Sequence, residues 1–339
     1  LRPHDDPHCR LPRHQDRRLP QRGAPLSEIT FPPHHALLGA PHDYLTPLDR
    51  PTLPEAQFWC RQLTSTHYEN FHVATWFLPR GTRPHFESIY AYCRVADDLG
   101  DEVPDPAVAM RLLDAWGSML DECYDTPERS MHPVFVALQP TIRQFDLPRQ
   151  LFHDLLHAFR MDQVKTNYNT WDELLEYSQY SANPVGRLVL LVSGYKEESI
   201  SLLSDKVCTG LQLANFWQDV VEDAERGRRY LPAEYMLQFG VEEGQILGRV
   251  FTPEFRAMIE SLVIRTRDML REGGNISVHV SRELAVTLDL FRKGGDAILD
   301  GITAQDFDVL RGRPVVTKAK KLSLLAGALF SKLSAELHR

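Results

Sequence analysis

Residues 212–223 read Gln212-Leu-Ala-Asn215-Phe-Trp-Gln-Asp219-Val-Val-Glu-Asp223, and Arg226-Gly-Arg228-Arg229-Tyr230 follow shortly after. On a helix, Gln212, Asn215, Asp219 and Asp223 fall at i, i+3, i+7 and i+11, which is one face. Leu211, Leu213, Phe216, Trp217, Val220 and Val221 surround that line, so the polar stripe runs through an otherwise apolar helix. Buried polar groups need partners, and four in a row point to a shared ligand. Outward from this segment, and onward from Leu53, apolar residues recur at spacings of three and four, broken by Pro or Gly, with hardly any alternating β-branched runs. The spacing predicts an all-α body: helices over 54–66, 67–78, 84–101, 106–124, 132–145, 148–160, 171–193, 197–225, 232–237, 242–248, 253–272, 278–300 and 303–310.

A second stripe lies upstream, in Tyr90-Ala-Tyr-Cys-Arg94-Val-Ala-Asp97-Asp98-Leu-Gly-Asp101-Glu102. Tyr90, Arg94, Asp97 and Asp101 share a face, and Asp98 is turned aside by ~100°. Carboxylates four residues apart repel unless a cation sits between them, and a hard, oxygen-seeking ion such as Mg²⁺ is the natural occupant. Two such helices facing each other would line a cleft with carboxylates at one end and aromatic residues below. Bridging Mg²⁺ would hold a diphosphate there and make it a better leaving group. Arg94, Arg228 and Arg229, with Tyr230 beside them, are placed to grip the departing phosphates.

Composition narrows the classes. The chain has 339 residues, 43% hydrophobic and 25% charged, which excludes fibrous and wholly disordered proteins. A net charge of -8 argues against a nucleic-acid partner. That charge is uneven: residues 311–339 hold seven Lys or Arg against Glu336 alone, so the acid lies in the body. Cys9, Cys60, Cys93, Cys123 and Cys208 are odd in number and contain no C-x-x-C pair, which fits a reducing cytosol better than a disulfide or zinc framework. No apolar run approaches the ~18–20 residues of a membrane span, and the start lacks the apolar stretch of a signal peptide. Residues 1–55, rich in Pro, His and Arg, read as a flexible tail, 56–310 as one large helical domain, and 311–339 as a basic amphipathic segment.

The two acidic stripes resemble the paired aspartate-rich motifs of the squalene and phytoene synthase family, the head-to-head trans-isoprenyl diphosphate synthases. The resemblance covers roughly residues 60–310 and implies a single helical bundle of the isoprenoid synthase type. It also implies that Asp97, Asp101, Asp219 and Asp223 hold Mg²⁺, with Gln212 and Asn215 beside the second set. His67-Tyr-Glu-Asn-Phe71, followed by Leu78-Pro79, looks like the family's first helix, where polar residues such as His67 contact diphosphate and Phe71 lines the pocket. That segment, Ser181-Ala-Asn183-Pro184-Val-Gly186-Arg187 and the Arg94-Val-Ala-Asp-Asp run look most like bacterial hydroxysqualene synthases of hopanoid biosynthesis. Those enzymes take presqualene diphosphate, expel diphosphate and quench the rearranged cation with water, where squalene synthases use NADPH. No NADPH is therefore expected.

Counting back from Gly186 puts Tyr180 at the family's proton-handling tyrosine if no gap intervenes; the alternative is a packed aromatic with its hydroxyl satisfied. Asn183 replaces a family Gly at the pocket wall and either holds the quenching water or stabilises a kink before Pro184. Phe71, Tyr90, Phe216 and Trp217 are candidate carbocation stabilisers, with core packing as the competing role. In the C-terminal segment Leu322, Leu325, Leu329 and Leu333 share a face flanked by lysines, which suits either an anionic membrane surface or packing on the core. Two rival readings remain: a His-Asp phosphohydrolase prompted by His153-Asp154, and a non-catalytic helical scaffold whose acidic residues are exposed and separated. Nearer alternatives are synthases condensing two allylic diphosphates, such as farnesyl diphosphate. Partner enzymes of hopanoid synthesis are the expected neighbours.

Overall fold

In a computed structural model, residues 49–66, 81–317, 320 and 323 are described. They form thirteen α-helices: α1 (Leu53–Thr66), α2 (Arg83–Asp101), α3 (Pro106–Asp125), α4 (Pro133–Phe145), α5 (Arg149–Asp162), α6 (Trp171–Ser181), α7 (Asn183–Val192), α8 (Glu198–Gln218), α9 (Val220–Glu225), α10 (Ala233–Phe239), α11 (Glu243–Leu247), α12 (Pro253–Gly273) and α13 (Arg282–Ala304). No strand occurs among the described residues, and Asn167 and Arg229 form an isolated bridge. Local chemistry explains the helix starts. Proline opens α3, α4 and α12, where its missing N–H costs nothing. Asp105, Thr170, Thr252 and Ser281 cap α3, α6, α12 and α13 by accepting backbone N–H groups.

Three expected spans are revised. The helix read over 171–193 breaks at Ala182 (φ -114°, ψ -46°), two residues before Pro184, which has no N–H to continue the ladder and whose ring crowds the preceding turn. The helix read over 197–225 bends at Asp219 (φ -104°, ψ 19°). No separate helix covers 303–310: α13 runs to Ala304 and ends in a Schellman closure, with Asp306 in the left-handed region (φ 54°) and Phe307 N donating to Ile302 O at 3.0 Å. The first segment also differs, since α1 begins at Leu53, inside the stretch read as tail. The helix expected over 67–78 and the leucine-rich stretch after 321 lie outside the described residues.

Two large apolar clusters and a small one hold the bundle. The first joins α1–α5 through Trp59, Phe86, Tyr92, Trp116, Phe135 and Phe152; the second joins α6, α8, α9, α10 and α12 through Trp171, Phe216, Trp217, Tyr235 and Phe255. α8 runs against both α12 and α13. The approach is close because glycine sits at the contacts. A β-carbon on Gly273 would lie 2.8 Å from Val207 N and 3.0 Å from Leu203 O, and one on Gly186 would lie 2.5 Å from Cys208 Sγ. α8 is thereby fixed with its Asn215–Asp219 end beside α6 and α9. Among the described residues no helix is long and apolar enough to cross a membrane.

Candidate active site

The acidic stripes sit at the C-terminal end of α2 and at the α8–α9 bend. Asp219 N donates to Asn215 O at 2.9 Å and Asp223 N to Asp219 O at 2.8 Å, so the helical ladder passes through the bend and the stripe stays on one side. After Gly227 (φ 75°) the chain reverses, and Arg228 N donates to Asp223 O at 2.8 Å. This reversal aims Arg228 across at the first stripe: its Nη2 lies 2.9 Å from Asp101 Oδ1. Sequence positions 127 residues apart are thus joined by one ion pair. Arg94 instead pairs along its own helix, with Asp97 at 3.1 Å and with Asp98, which is buried. Asp98, turned aside on the helical wheel, is the partner that holds Arg94 in place. At the second stripe Arg313 Nη2 lies 3.2 Å from Asp219 Oδ2, and Gln218 Nε2 donates to Pro314 O. The arm after α13 is clasped onto the α8–α9 bend.

Electrostatics follow from crowding. Desolvation, countered by Arg94 and reinforced by Asp101 and Asp98, pushes Asp97 up to about 6. Desolvation and then Asp219 push Asp223 up to about 7, against Arg228 and Arg226. Glu222 Oε2, beside them on α9, is buried without a hydrogen-bond partner.

Below the carboxylates stands an aromatic wall. Phe216 and Tyr230 stack with centroids 3.8 Å apart and planes at 7°, Tyr168 stacks on Tyr230 at 5.5 Å, and Tyr177 lies 6.0 Å from Phe216. A cavity of about 150 Å³, lined by Phe216, Val220, Asp223, Arg228, Tyr230 and Ile246 among others, lies beside Asp223.

The remaining candidates divide by environment. Gln212 is half-buried and Asn215 exposed, on the face that carries Asp219. Tyr90 is half-buried, its phenol raised chiefly by burial. Tyr230 is buried in the aromatic stack rather than presented to solvent. Arg229 turns away from the carboxylates and donates to Leu231 O and, at 3.4 Å, to Tyr168 O, so it secures the loop. Trp217 is fully buried and donates to Thr266 Oγ1 at 2.8 Å, a core position. Asn183 is buried, and its Oδ1 accepts from Thr209 Oγ1 at 2.9 Å, linking α7 to α8. Tyr180 packs edge-on against His157 at 4.5 Å, whereas Tyr177, one turn earlier, is buried in the aromatic wall and donates to Asp162 Oδ2 at 2.8 Å. His67 and Phe71 lie outside the described residues. Asp162, Tyr168 and Arg313 carry no sequence signal of this kind; Tyr177 shares its helix with Tyr180 and differs in burial, which the count from Gly186 does not register.

The donor set around the bend consists of carboxylates, suited to a hard cation. Among the described residues no three His, Cys, Asp or Glu side chains cluster tightly enough to enclose a metal by themselves. A Mg²⁺ ion held here would keep waters and share one or two of these carboxylates with a substrate phosphate. The raised Asp97 and Asp223 and the unpartnered Glu222 oxygen fit an added cation here. For the His-Asp reading, His153 Nε2 lies 2.9 Å from Asp121 and Asp154 accepts from Gln150, so the two are not joined.

Comparison with known proteins agrees. The family profile "Squalene/phytoene synthase" matches residues 64–320. A phytoene synthase of Arthrospira platensis is 31% identical over 283 residues, covering 78% of this chain and 90% of that protein. Phytoene synthase 2 of Solanum lycopersicum is 30% identical, covering 84% and 93%. The crystal structure of squalene synthase HpnC from Alicyclobacillus acidocaldarius is 42% identical with a TM-score of 0.71, covering 75% of this chain and 95% of that one. A dehydrosqualene synthase at 24% identity and a TM-score of 0.72 shares the fold. With the paired acidic stripes joined through Arg228 and the profile spanning most of its length, the chain belongs to the squalene/phytoene synthase family of enzymes, which join isoprenoid units head to head.

Proposed function

We propose that this enzyme is a hydroxysqualene synthase, converting presqualene diphosphate and water to hydroxysqualene and diphosphate with Mg²⁺ and without NADPH. The observation that carries this reading is the Ser181–Arg187 pattern with its Asn183-Pro184 pair, which resembles the bacterial hydroxysqualene synthases; the 42% identity to the squalene synthase HpnC, against 29–31% to the phytoene synthases, supports a squalene-type over a phytoene-type product. Asp97, Asp101, Asp219 and Asp223 are the residues that would hold the ions. Bound Mg²⁺ supplies charge neutralisation of the leaving diphosphate. Arg228 exchanges Asp101 for a phosphate oxygen, since a guanidinium binds either anion by the same fork. Phe216, one face of which is stacked on Tyr230, and Tyr177 lend the negative quadrupole of their remaining faces to the cation left behind. Asn183, its carbonyl oxygen committed to Thr209, offers its amide nitrogen to a water. The protein acts in the cytosol, with its basic segment 311–339 touching the inner membrane surface, beside other enzymes of hopanoid synthesis.

A second reading, a synthase condensing two allylic diphosphates to presqualene diphosphate, squalene or phytoene, is favoured by the phytoene synthase likeness. Incubation with Mg²⁺ and either presqualene diphosphate or farnesyl diphosphate, without NADPH, separates them. Hydroxysqualene from presqualene diphosphate, with farnesyl diphosphate left unconsumed, is the expected result. Presqualene diphosphate accumulating from farnesyl diphosphate would sink the first reading in favour of the second.

A further inference from the structure

Asp162 ends α5 and meets the aromatic wall through Tyr177. Its Oδ2 accepts from Tyr177 Oη at 2.8 Å, and its Oδ1 is buried with no partner. The hydroxyl of Tyr168, stacked on Tyr230, is also buried and unpartnered. Desolvation comes first in pushing Asp162 up to about 7; Tyr177 and Arg228 oppose it, and Asp101 and Asp97 of α2 reinforce it. A carboxyl in this setting is poised to take up a proton. No other ion pair engages it among the described contacts, unlike the carboxylates at Asp101 and Asp219.

Whichever product forms, a proton must leave. In water capture, a water lone pair forms the C–O bond to the allylic cation and one O–H bond of the resulting oxonium breaks. In head-to-head condensation, a C–H bond breaks as the cyclopropane closes. We propose that Asp162 is a positioning residue that fixes the Tyr177 hydroxyl and receives the departing proton through it. Tyr177 oxygen accepts the proton from the oxonium while its own proton passes to Asp162 Oδ2. Tyr177 ends unchanged, Asp162 ends neutral, and the electron pair of the broken O–H bond stays on the product oxygen. The inference rests on the synthase reading above.

The test uses the full chain with Mg²⁺ and whichever of presqualene or farnesyl diphosphate the wild type converts. Asp162→Asn should melt normally and bind inorganic diphosphate with Mg²⁺ within twofold of wild type by calorimetry. Its kcat should fall by 50-fold or more with KM within threefold, its solvent deuterium isotope effect should change, and Asp162→Glu should restore at least a tenth of the rate. A kcat within threefold of wild type, or a loss of diphosphate binding matching the loss of rate, would overturn the proposal. Should Asp162→Asn not fold, Tyr177→Phe removes one hydroxyl alone; an undiminished kcat there overturns it equally. A wild type that converts neither substrate defeats the synthase reading itself, an outcome distinct from an active wild type matched by Asp162→Asn.

Discussion

The indole of Trp217 is fully buried and its N–H is satisfied by Thr266 Oγ1. Thr266→Val leaves that donor unpaired in the core, and the expected cost is about 1–3 kcal/mol of unfolding free energy in urea denaturation, with kcat unchanged. An altered kcat with intact stability would place Trp217 in the chemistry after all. Its neighbour on the same helix, Phe216, stacks on Tyr230 at the site. Both aromatics were legible as members of one apolar helix; the side each one takes depends on what α6 and α12 bring against it. Tyr177 and Tyr180 pose the same problem, being three residues apart and so only ~60° apart around the axis. Asp162 was not legible at all: a lone acid at a helix end looks like surface decoration until α6 lays a tyrosine on it.

At the scale of elements, helix contacts decide more than helix propensities. Gly273→Ala would push a methyl into the backbone of α8 at Val207 and Leu203, which has no rotamer by which to retreat. Overpacking of this kind costs about 1–3 kcal/mol, and a lowered melting temperature with weakened diphosphate binding is the expected reading. An unshifted melt would show that α12 tolerates displacement. The bend at Asp219 belongs here too. Periodicity read 197–225 as one rod, because the hydrogen bonds continue across the bend and the apolar spacing never falters. Only a partner outside the helix reveals it, and Arg313 is that partner. Arg313→Ala removes a cation from Asp219. Since exposed pairs are worth about 0–1 kcal/mol, Mg²⁺ affinity in the absence of diphosphate should rise by up to about fivefold in calorimetry. A lower affinity would mean that Arg313 orders the site instead of competing for it.

For the whole molecule, helix content and the paired stripes were open to reading because both rest on short-range periods, 3.6 residues for the turn and four for the carboxylates. The cleft was not, since it depends on Arg228 meeting Asp101 from the far side of the chain. That convergence stores charge. Asp97 and Asp223 bind protons more tightly folded than unfolded, so the stability they confer is full below the ordinary carboxylate range and is lost as pH rises through about 6 and about 7. The metal-free protein should melt higher at pH 6 than at pH 8 on this account, by roughly 1.5–2 °C for each kcal/mol involved. Mg²⁺ with inorganic diphosphate should raise the pH 8 melt most, because counter-charge then replaces the proton. A melt that climbs with pH in the metal-free protein would contradict this distribution of strain. The basic end of the chain completes the balance, with its first residues already spent on the acidic body.

The clasp of Arg313 and Pro314 on the α8–α9 bend sets where the chain can be shortened. Cutting after residue 310 removes the leucine-rich end and the clasp together, and any change in vesicle binding would then be entangled with a loosened site. Cutting after residue 317 leaves Arg313 on Asp219 and Pro314 on Gln218. Comparing both trimmed proteins with the full chain assigns membrane contact to the stretch after 317 and the clasp's share of turnover to 311–317, which neither cut does alone.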